Sequence, residues 1–375
     1  MSQTVKRRSV LKALASAPLV SLLPGLSIAA SPTTQPNRFV LVILRGALDG
    51  LAAVQPAGDP DLAQWRQSLL VPEAQLLPLD GFFGLHPALK SLHALYQASQ
   101  LEVFHAIATP YRARSHFDAQ NVLETGGVVP DPGADGWLNR LVGWVHAADP
   151  AAMAVGQVMP KVLQGPFPAG SWTPAKLPVV QGSTLERLQR LYAMDTFLDS
   201  RLQQALQIKA LVAAESINTA AAGQSNFATL AGAAASFLRQ DVGPAIAVLE
   251  LGGWDTHANQ GAAQGTLAQQ LAQLDSGLDR LRRGLGARWQ TTQVLVVTEF
   301  GRTVAVNGSG GTDHGTASVA FRLGGSVAGG KVRADWPGLK REQLYEQRDL
   351  RPTLDLRQLY QEAALHLTGQ ALLLS

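Results

Sequence analysis

The sequence predicts an α/β fold: a mostly parallel β-sheet with helices on both faces. Three observations carry this. Short, continuous apolar runs rich in β-branched residues read as strands buried on both faces. Amphipathic segments with helical spacing stand between them. The two patterns alternate, as parallel strands joined by helical crossovers require. The chain has 375 residues, 46% of them hydrophobic and 16% charged. An average soluble domain carries about 25% charged residues, so this one has the composition of a large core. It contains no cysteine. Disulfides, thiolate zinc sites, iron–sulfur clusters and a cysteine nucleophile are thereby excluded. A site must be built from Ser or Thr, His, Asp or Glu, and Arg or Lys.

The N-terminus reads as an export signal over residues 1–29. Lys6, Arg7, Arg8 and Lys12 form a basic region, and Ala13 to Leu23 an apolar one. That stretch is far shorter than the ~20 residues a membrane span needs, so no permanent span is expected. Ser27-Ile28-Ala29 offers small residues for cleavage before Ala30. The twin arginines followed by Leu11 and Lys12 resemble a twin-arginine motif, with Val10 where Phe is commonest. The expected partner is the twin-arginine translocase, and the expected location is periplasmic or secreted. The formal net charge of +3 becomes about −1 once the four basic residues of the signal are removed, so no nucleic-acid surface is expected.

Residues 30–375 read as a single domain. Phe39-Val-Leu-Val-Ile-Leu44 is the first strand. Pro87 to Ala98 suits a helix, Leu101 to Ala108 a strand, Ser115 to Thr125 a helix closed by Gly126, and Asp135 to Ala147 another helix. Residues 148–183, with six prolines, read as irregular. Leu185 to about Ser216 and Phe227 to Gln240 read as helices, making 150–240 a mainly helical excursion. Ala245 to Leu251 is a strand. Leu267, Leu271, Leu274, Leu278, Leu281 and Leu285 mark one apolar helix face. Val294 to Thr298 is a strand, 307–315 a glycine-rich loop, and Leu354 to Leu367 the last helix.

Ligands of open α/β sheets bind beyond the carboxyl ends of the strands, so the residues there are the candidates. After the first strand comes Asp49, a metal ligand or simply the Asp of an Asp-Gly turn. After the second come Arg112, Arg114, Ser115, His116 and Asp118. Ser115 with Asp118 is a helix-capping pattern, and a helix N-terminus also stabilises anions. After the third, Asp255 and His257 stand at i, i+2, a spacing suited to a shared metal. After the fourth come Glu299 and Arg302, then Asp313-His314.

These motifs resemble the bacterial domain-of-unknown-function 1501 family. The resemblance rests on Phe39 to Pro56, Arg114-Ser-His-Phe-Asp-Ala-Gln120, Gly253-Trp-Asp-Thr-His257, Thr298-Glu-Phe-Gly-Arg-Thr303 and Gly311-Thr-Asp-His-Gly315. That family is grouped with alkaline phosphatases and sulfatases. The grouping implies an alkaline-phosphatase-like three-layer sandwich and metal-dependent hydrolysis of phosphate or sulfate esters. By chain order Asp49 resembles the first metal-binding aspartate and Ser115 the nucleophile. Asp255 and His257 resemble Asp/His ligands, and His314 the late histidine. Glu299 stands where an aspartate is usual, and Phe300 where a histidine is usual. Asp313-His314 can also be read as a displaced Asp–His pair. Arg114, His116 and Arg302 are the candidates to hold the substrate's oxyanion. The expected cofactor is a divalent metal, zinc first, with manganese, magnesium or calcium as substitutes. The expected small-molecule partner is the ester. Phe300 motivates the competing reading, a non-catalytic exported binding or assembly protein on the same fold. A metal-dependent mutase or isomerase is a third.

Overall fold

The computed structural model describes residues 36–145, 150–174, 182–214 and 226–372. The twin arginines and the Ala29 cleavage position lie outside them. The described residues from Asn37 onward form one compact unit.

Strand β1 (Arg38–Leu44) leads into a short helix α1 (Gly50–Ala53). A small antiparallel sheet follows, from β2 (Val54–Gln55), β3 (Leu77–Pro78) and β4 (Gly84–Leu85), with α2 (Leu62–Arg66) looping between β2 and β3. Then come α3 (Lys90–Gln97), β5 (Leu101–Ala108), α4 (His116–Thr125) and α5 (Trp137–Val142). Strands β6 (Ala152–Val155) and β7 (Gly170–Trp172) precede helices α6 (Gly182–Tyr192), α7 (Thr196–Ala214) and α8 (Phe227–Arg239). The last third runs β8 (Ile246–Leu251), α9 (Thr266–Leu285), β9 (Thr292–Thr298), β10 (Ser318–Gly324), β11 (Lys331–Arg333), β12 (Leu354–Asp355) and α10 (Arg357–Thr368).

Among the described residues the main sheet has nine strands in the order β11-β5-β10-β9-β1-β8-β6-β7, with β12 also on β5. Every pairing is parallel except those of β10, which runs antiparallel to both β5 and β9. β1 lies at the centre and is buried along its whole length. Its alternate residues feed two cores, because strand side chains point to opposite faces. Val40, Val42 and Leu44 pack with α3, α8 and the leucine stripe of α9. Phe39, Leu41 and Ile43 pack with α5 and α10. The expected α/β sandwich, a mostly parallel sheet with helices on both faces, is the observed one.

The structure differs from the sequence reading in places. The proline-rich stretch holds β6 and β7, which extend the main sheet beyond β8. These strands have four and three residues, too short to show a period against six prolines. The helical pattern read from Leu185 is two helices, divided between Tyr192 and Thr196. Strand β10 went unread because Ser318 to Gly324 mixes Arg322 and glycine into an apolar run.

Candidate metal centre

The carboxyl ends of β1, β8 and β9 converge on one edge. Beyond β8 the chain alternates in burial from Trp254 to His257. Trp254 is buried and donates its indole N–H to Leu251 O at 2.9 Å. Thr256 is buried and donates its hydroxyl to Gln260 Oε1 at 2.7 Å. With these two anchored inward, Asp255 and His257 face out on the same side. The turn after β1 presses against this segment. A Cβ at Gly46 would lie 2.7 Å from Asp255 N, and Gly46 has φ +116°, so only glycine fits. Gly311 makes the same close approach to His257 from the loop after β9: a Cβ there would lie 2.4 Å from the His257 carbonyl carbon.

Four side chains meet here. His116, Asp255 and His314 each bring one donor atom within 4.8 Å of the others. His116 Nε2 stands 3.0 Å from His314 Nε2, which stands 3.2 Å from Asp255 Oδ1. His257 joins them, with Nε2 3.1 Å from His314 Nε2 and 3.0 Å from Asp255 Oδ1. Ligands around a tetrahedral zinc, at about 2.0–2.1 Å from the ion, stand about 3.3 Å apart. The spacing fits.

The far nitrogen of each ring settles the chemistry. His116 Nδ1 is 2.9 Å from Glu299 Oε1, His257 Nδ1 is 3.2 Å from Asp313 Oδ1, and His314 Nδ1 is 3.2 Å from Arg114 O. All three partners are acceptors, so each neutral ring carries its proton on Nδ1 and turns a lone pair inward from Nε2. With the rings neutral, three lone pairs and a carboxylate gathered so closely could hold a cation, and these outer partners are of the kind that metal-bound histidines use.

The supporting residues are firmly held. Glu299 is 1% exposed. It accepts from Gly46 N at 2.8 Å and Gln120 Nε2 at 3.2 Å. Burial opposes its charge, yet the bonds from His116 and Gly46 hold its carboxyl below the ordinary value. The Glu299 bond in turn raises the His116 imidazole. Burial, and the nearby charge of His116, lower His314. Burial pushes Asp255 up, but Arg302, 2.5 Å away, outweighs it, and its carboxyl lies below the ordinary value. Phe300 packs on the rings of His116 and His314, at 4.8 and 5.3 Å between centroids. It floors the cluster where the resemblance implied a ligand.

The sequence-predicted residues therefore part company. Asp255, His257 and His314 come together. Glu299 and Asp313, expected as ligands, bond the outer nitrogens of His116 and His257. Asp49, also expected as a ligand, is 1% exposed. Its Oδ2 accepts from Arg66 Nη1 at 2.6 Å and Gln260 Nε2 at 2.7 Å. Of the three expected oxyanion binders, His116 joins the cluster itself. The Arg114 guanidinium is bound to Asp349 at 2.7 Å and Glu346 at 2.6 Å. Arg302 is 1% exposed, bonded to Asp255 and Thr312. Ser115 is the N-cap residue of α4, but its side chain makes no capping bond; it meets the Tyr111 hydroxyl instead. Sequence reasoning passed over Arg66 and Gln260, which no motif marks, and gave Thr312 of the Gly311 to Gly315 motif no role. A cleft of about 400 Å³, bordered by Trp65, Asn307, Asp313 and Arg348, adjoins the Asp313–His257 pair.

The comparisons with known proteins now bear on this edge. A family described as protein of unknown function (DUF1501) matches residues 105–369. The chain belongs to that family. The match includes the segments that supply His116, Asp255, His257, Glu299 and His314. The β1 segment with Asp49 lies before it. No curated protein matches the chain. Among solved structures it is similar to the C-terminal periplasmic domain of EptC from Escherichia coli in complex with zinc, at 10% identity and TM-score 0.39, covering 77% of this chain and 73% of that one. It is similar to a phosphonate monoester hydrolase of Agrobacterium radiobacter, at 12% identity and TM-score 0.34, covering 79% and 70%. It is also similar to the PsFucS1 sulfatase from Pseudoalteromonas, at 14% identity and TM-score 0.38, covering 89% and 68%. The likeness is distant in every case.

Proposed function

We propose that this protein is an exported, metal-dependent hydrolase of phosphate or sulfate esters. The observation that carries the reading is the inward convergence of three Nε2 lone pairs on the Asp255 carboxylate. His116, His257, His314 and Asp255 would hold a divalent cation, and three imidazoles with one carboxylate suit zinc. The cation would supply compensation for the charge on the transferred group and lower the pKa of a nearby hydroxyl.

Ser115 is the nucleophile of this reading. It precedes His116, at the N-terminus of a ten-residue helix, where free N–H groups favour developing negative charge. Its Oγ bonds to the phosphorus or sulfur, the ester oxygen departs with its alcohol, and water then cleaves the serine ester. Glu299 and Asp313 hold the tautomers of His116 and His257, and Arg302 fixes Asp255. The cleft beside Asp313 gives the substrate room, with Arg348 at its border; the Arg348 side chain also donates to His314 O at 2.9 Å. Export over the twin-arginine pathway completes the proposal, supported by Arg7 and Arg8. Among the described residues no helix is long and apolar enough to cross a membrane.

The test is turnover of chromogenic aryl phosphates and sulfates by the zinc-loaded protein. Turnover that falls to background in both Ser115→Ala and His314→Ala is the expected result. Zinc bound without turnover of either ester class overturns the hydrolase and leaves the non-catalytic binding reading. For export, replacement of Arg7 and Arg8 by Lys should stop translocation; normal export of that variant removes the twin-arginine assignment.

A further inference from the structure

The family resemblance implies that Asp49 is a metal ligand, although it stands apart from the cluster of His116, His257, His314 and Asp255. The structure does not fit that role. We infer that the centre holds one metal ion, and that the Arg66 guanidinium stands where a second cation would be needed. The inference rests on the metal reading above.

Three observations support it. First, Asp49 is buried and both its oxygens are engaged by protein donors. Oδ2 accepts from Arg66 and Gln260, and Oδ1 accepts from Ala52 N at 3.3 Å. Second, Arg66 is fixed. It is 1% exposed, and its remaining donors reach Val304 O at 2.9 Å and Thr303 O at 2.6 Å. A cation on Asp49 would share its carboxylate with a guanidinium 2.6 Å away, in buried surroundings that screen the repulsion weakly. Third, the other carboxylate of that side, Glu299, takes Gly46 N, Gln120 and His116 on Oε1 and meets the Thr298 hydroxyl with Oε2, and Phe300 supplies no donor atom.

The pair also has a positive role. Gln260 bonds Asp49 with its amide N–H, and its Oε1 accepts from Thr256 at 2.7 Å and Thr312 at 2.9 Å. Thr312 accepts from Arg302, and Arg302 holds Asp255. A buried line of hydrogen bonds thus runs from Arg66 to the carboxylate of the metal centre. Arg66, Asp49 and Gln260 are positioning residues for Asp255, and removing such support weakens metal affinity by about 10–100-fold.

The experiment uses the whole mature chain, stripped with chelator and titrated with zinc chloride, the bound zinc being counted by elemental analysis and native mass spectrometry. One equivalent per chain is expected. The double variant Asp49→Asn/Arg66→Leu, which removes the buried charges together, should keep that one equivalent with about 10-fold or more weaker affinity. Gln260→Leu should weaken it in the same way, with the same stoichiometry. Two equivalents in the wild type overturn this inference and leave the hydrolase reading standing. No binding at all overturns both. Loss of one of two equivalents in the double variant identifies Asp49 as a ligand and overturns the inference alone. Should the double variant fail to fold, the wild-type stoichiometry decides.

Discussion

Asp49 and Asp255 begin alike and end differently. Each follows a strand of the main sheet, β1 and β8, which pair with each other in parallel. Each has a glycine within two positions, and each bonds an arginine. Asp49 is sealed in, with both carboxylate oxygens bonded to protein. Asp255 is bonded to Arg302 on one side only, and its side chain is 44% exposed, facing three imidazoles that have lone pairs to offer. A buried carboxylate saturated by donors contributes stability and shape. One that faces acceptors lacks a partner, and that deficit makes a ligand site.

The sharpest break of this contrast is His314→Ala. It removes the ring that touches His116, His257 and Asp255 together. Zinc content should fall to background, and the melting temperature of the variant should no longer rise on adding zinc, because only native-state binding stabilises. Retention of full zinc content would remove His314 from the centre.

Next in size is Asp49→Asn. It leaves the Arg66 guanidinium buried without its counter-charge, which costs about 3–5 kcal/mol. Urea denaturation should show that loss while zinc stoichiometry stays unchanged. Asp255→Asn also takes the counter-charge from buried Arg302, but unlike Asp49→Asn it should lose zinc as well. Equal behaviour of the two variants would erase the distinction.

His105 tests the sealed side by pH. It is fully buried in β5, with Nε2 2.9 Å from Val54 O and its ring stacked on Phe83. Burial holds its imidazole down at about 4. The unfolded ring titrates near its ordinary value of 6.5, so the unfolded state binds the proton first as pH falls. The stability from neutral His105 is therefore complete above pH 6.5 and lost progressively down to about 4, a change of about 3 kcal/mol. His105→Phe should flatten the acid limb of stability measured between pH 7 and pH 4.5. An unchanged limb would assign the acid sensitivity elsewhere.

The smallest effect belongs to Ser115. Because its side chain makes no cap bond, Ser115→Ala should change unfolding stability by no more than about 0.5 kcal/mol, while ester turnover disappears. A stability loss above about 1 kcal/mol would show a capping hydroxyl, and preserved turnover would remove the nucleophile.

Much of this was legible in the sequence. The runs at Phe39–Leu44, Leu101–Ala108 and Val294–Thr298, and the leucine stripe of α9, read correctly because burial on both faces, or on one helical face, imposes a local period. Asp255, His257 and His314 were legible because they follow strands at one edge of the sheet. The sequence could not rank the carboxylates. Whether an aspartate is a ligand depends on what reaches it from far along the chain: Arg66 and Gln260 for Asp49, Arg302 and His314 for Asp255. For the same reason His116 read as an oxyanion binder, although Glu299, 183 positions away, turns its ring into the cluster. Local periodicity follows from backbone geometry, so the sequence by itself determined the strands, the helices and the sheet edge that bears the site. Hydrogen-bond saturation is a property of contacts between distant segments, and only the tertiary structure decided which acids were left with lone pairs to share.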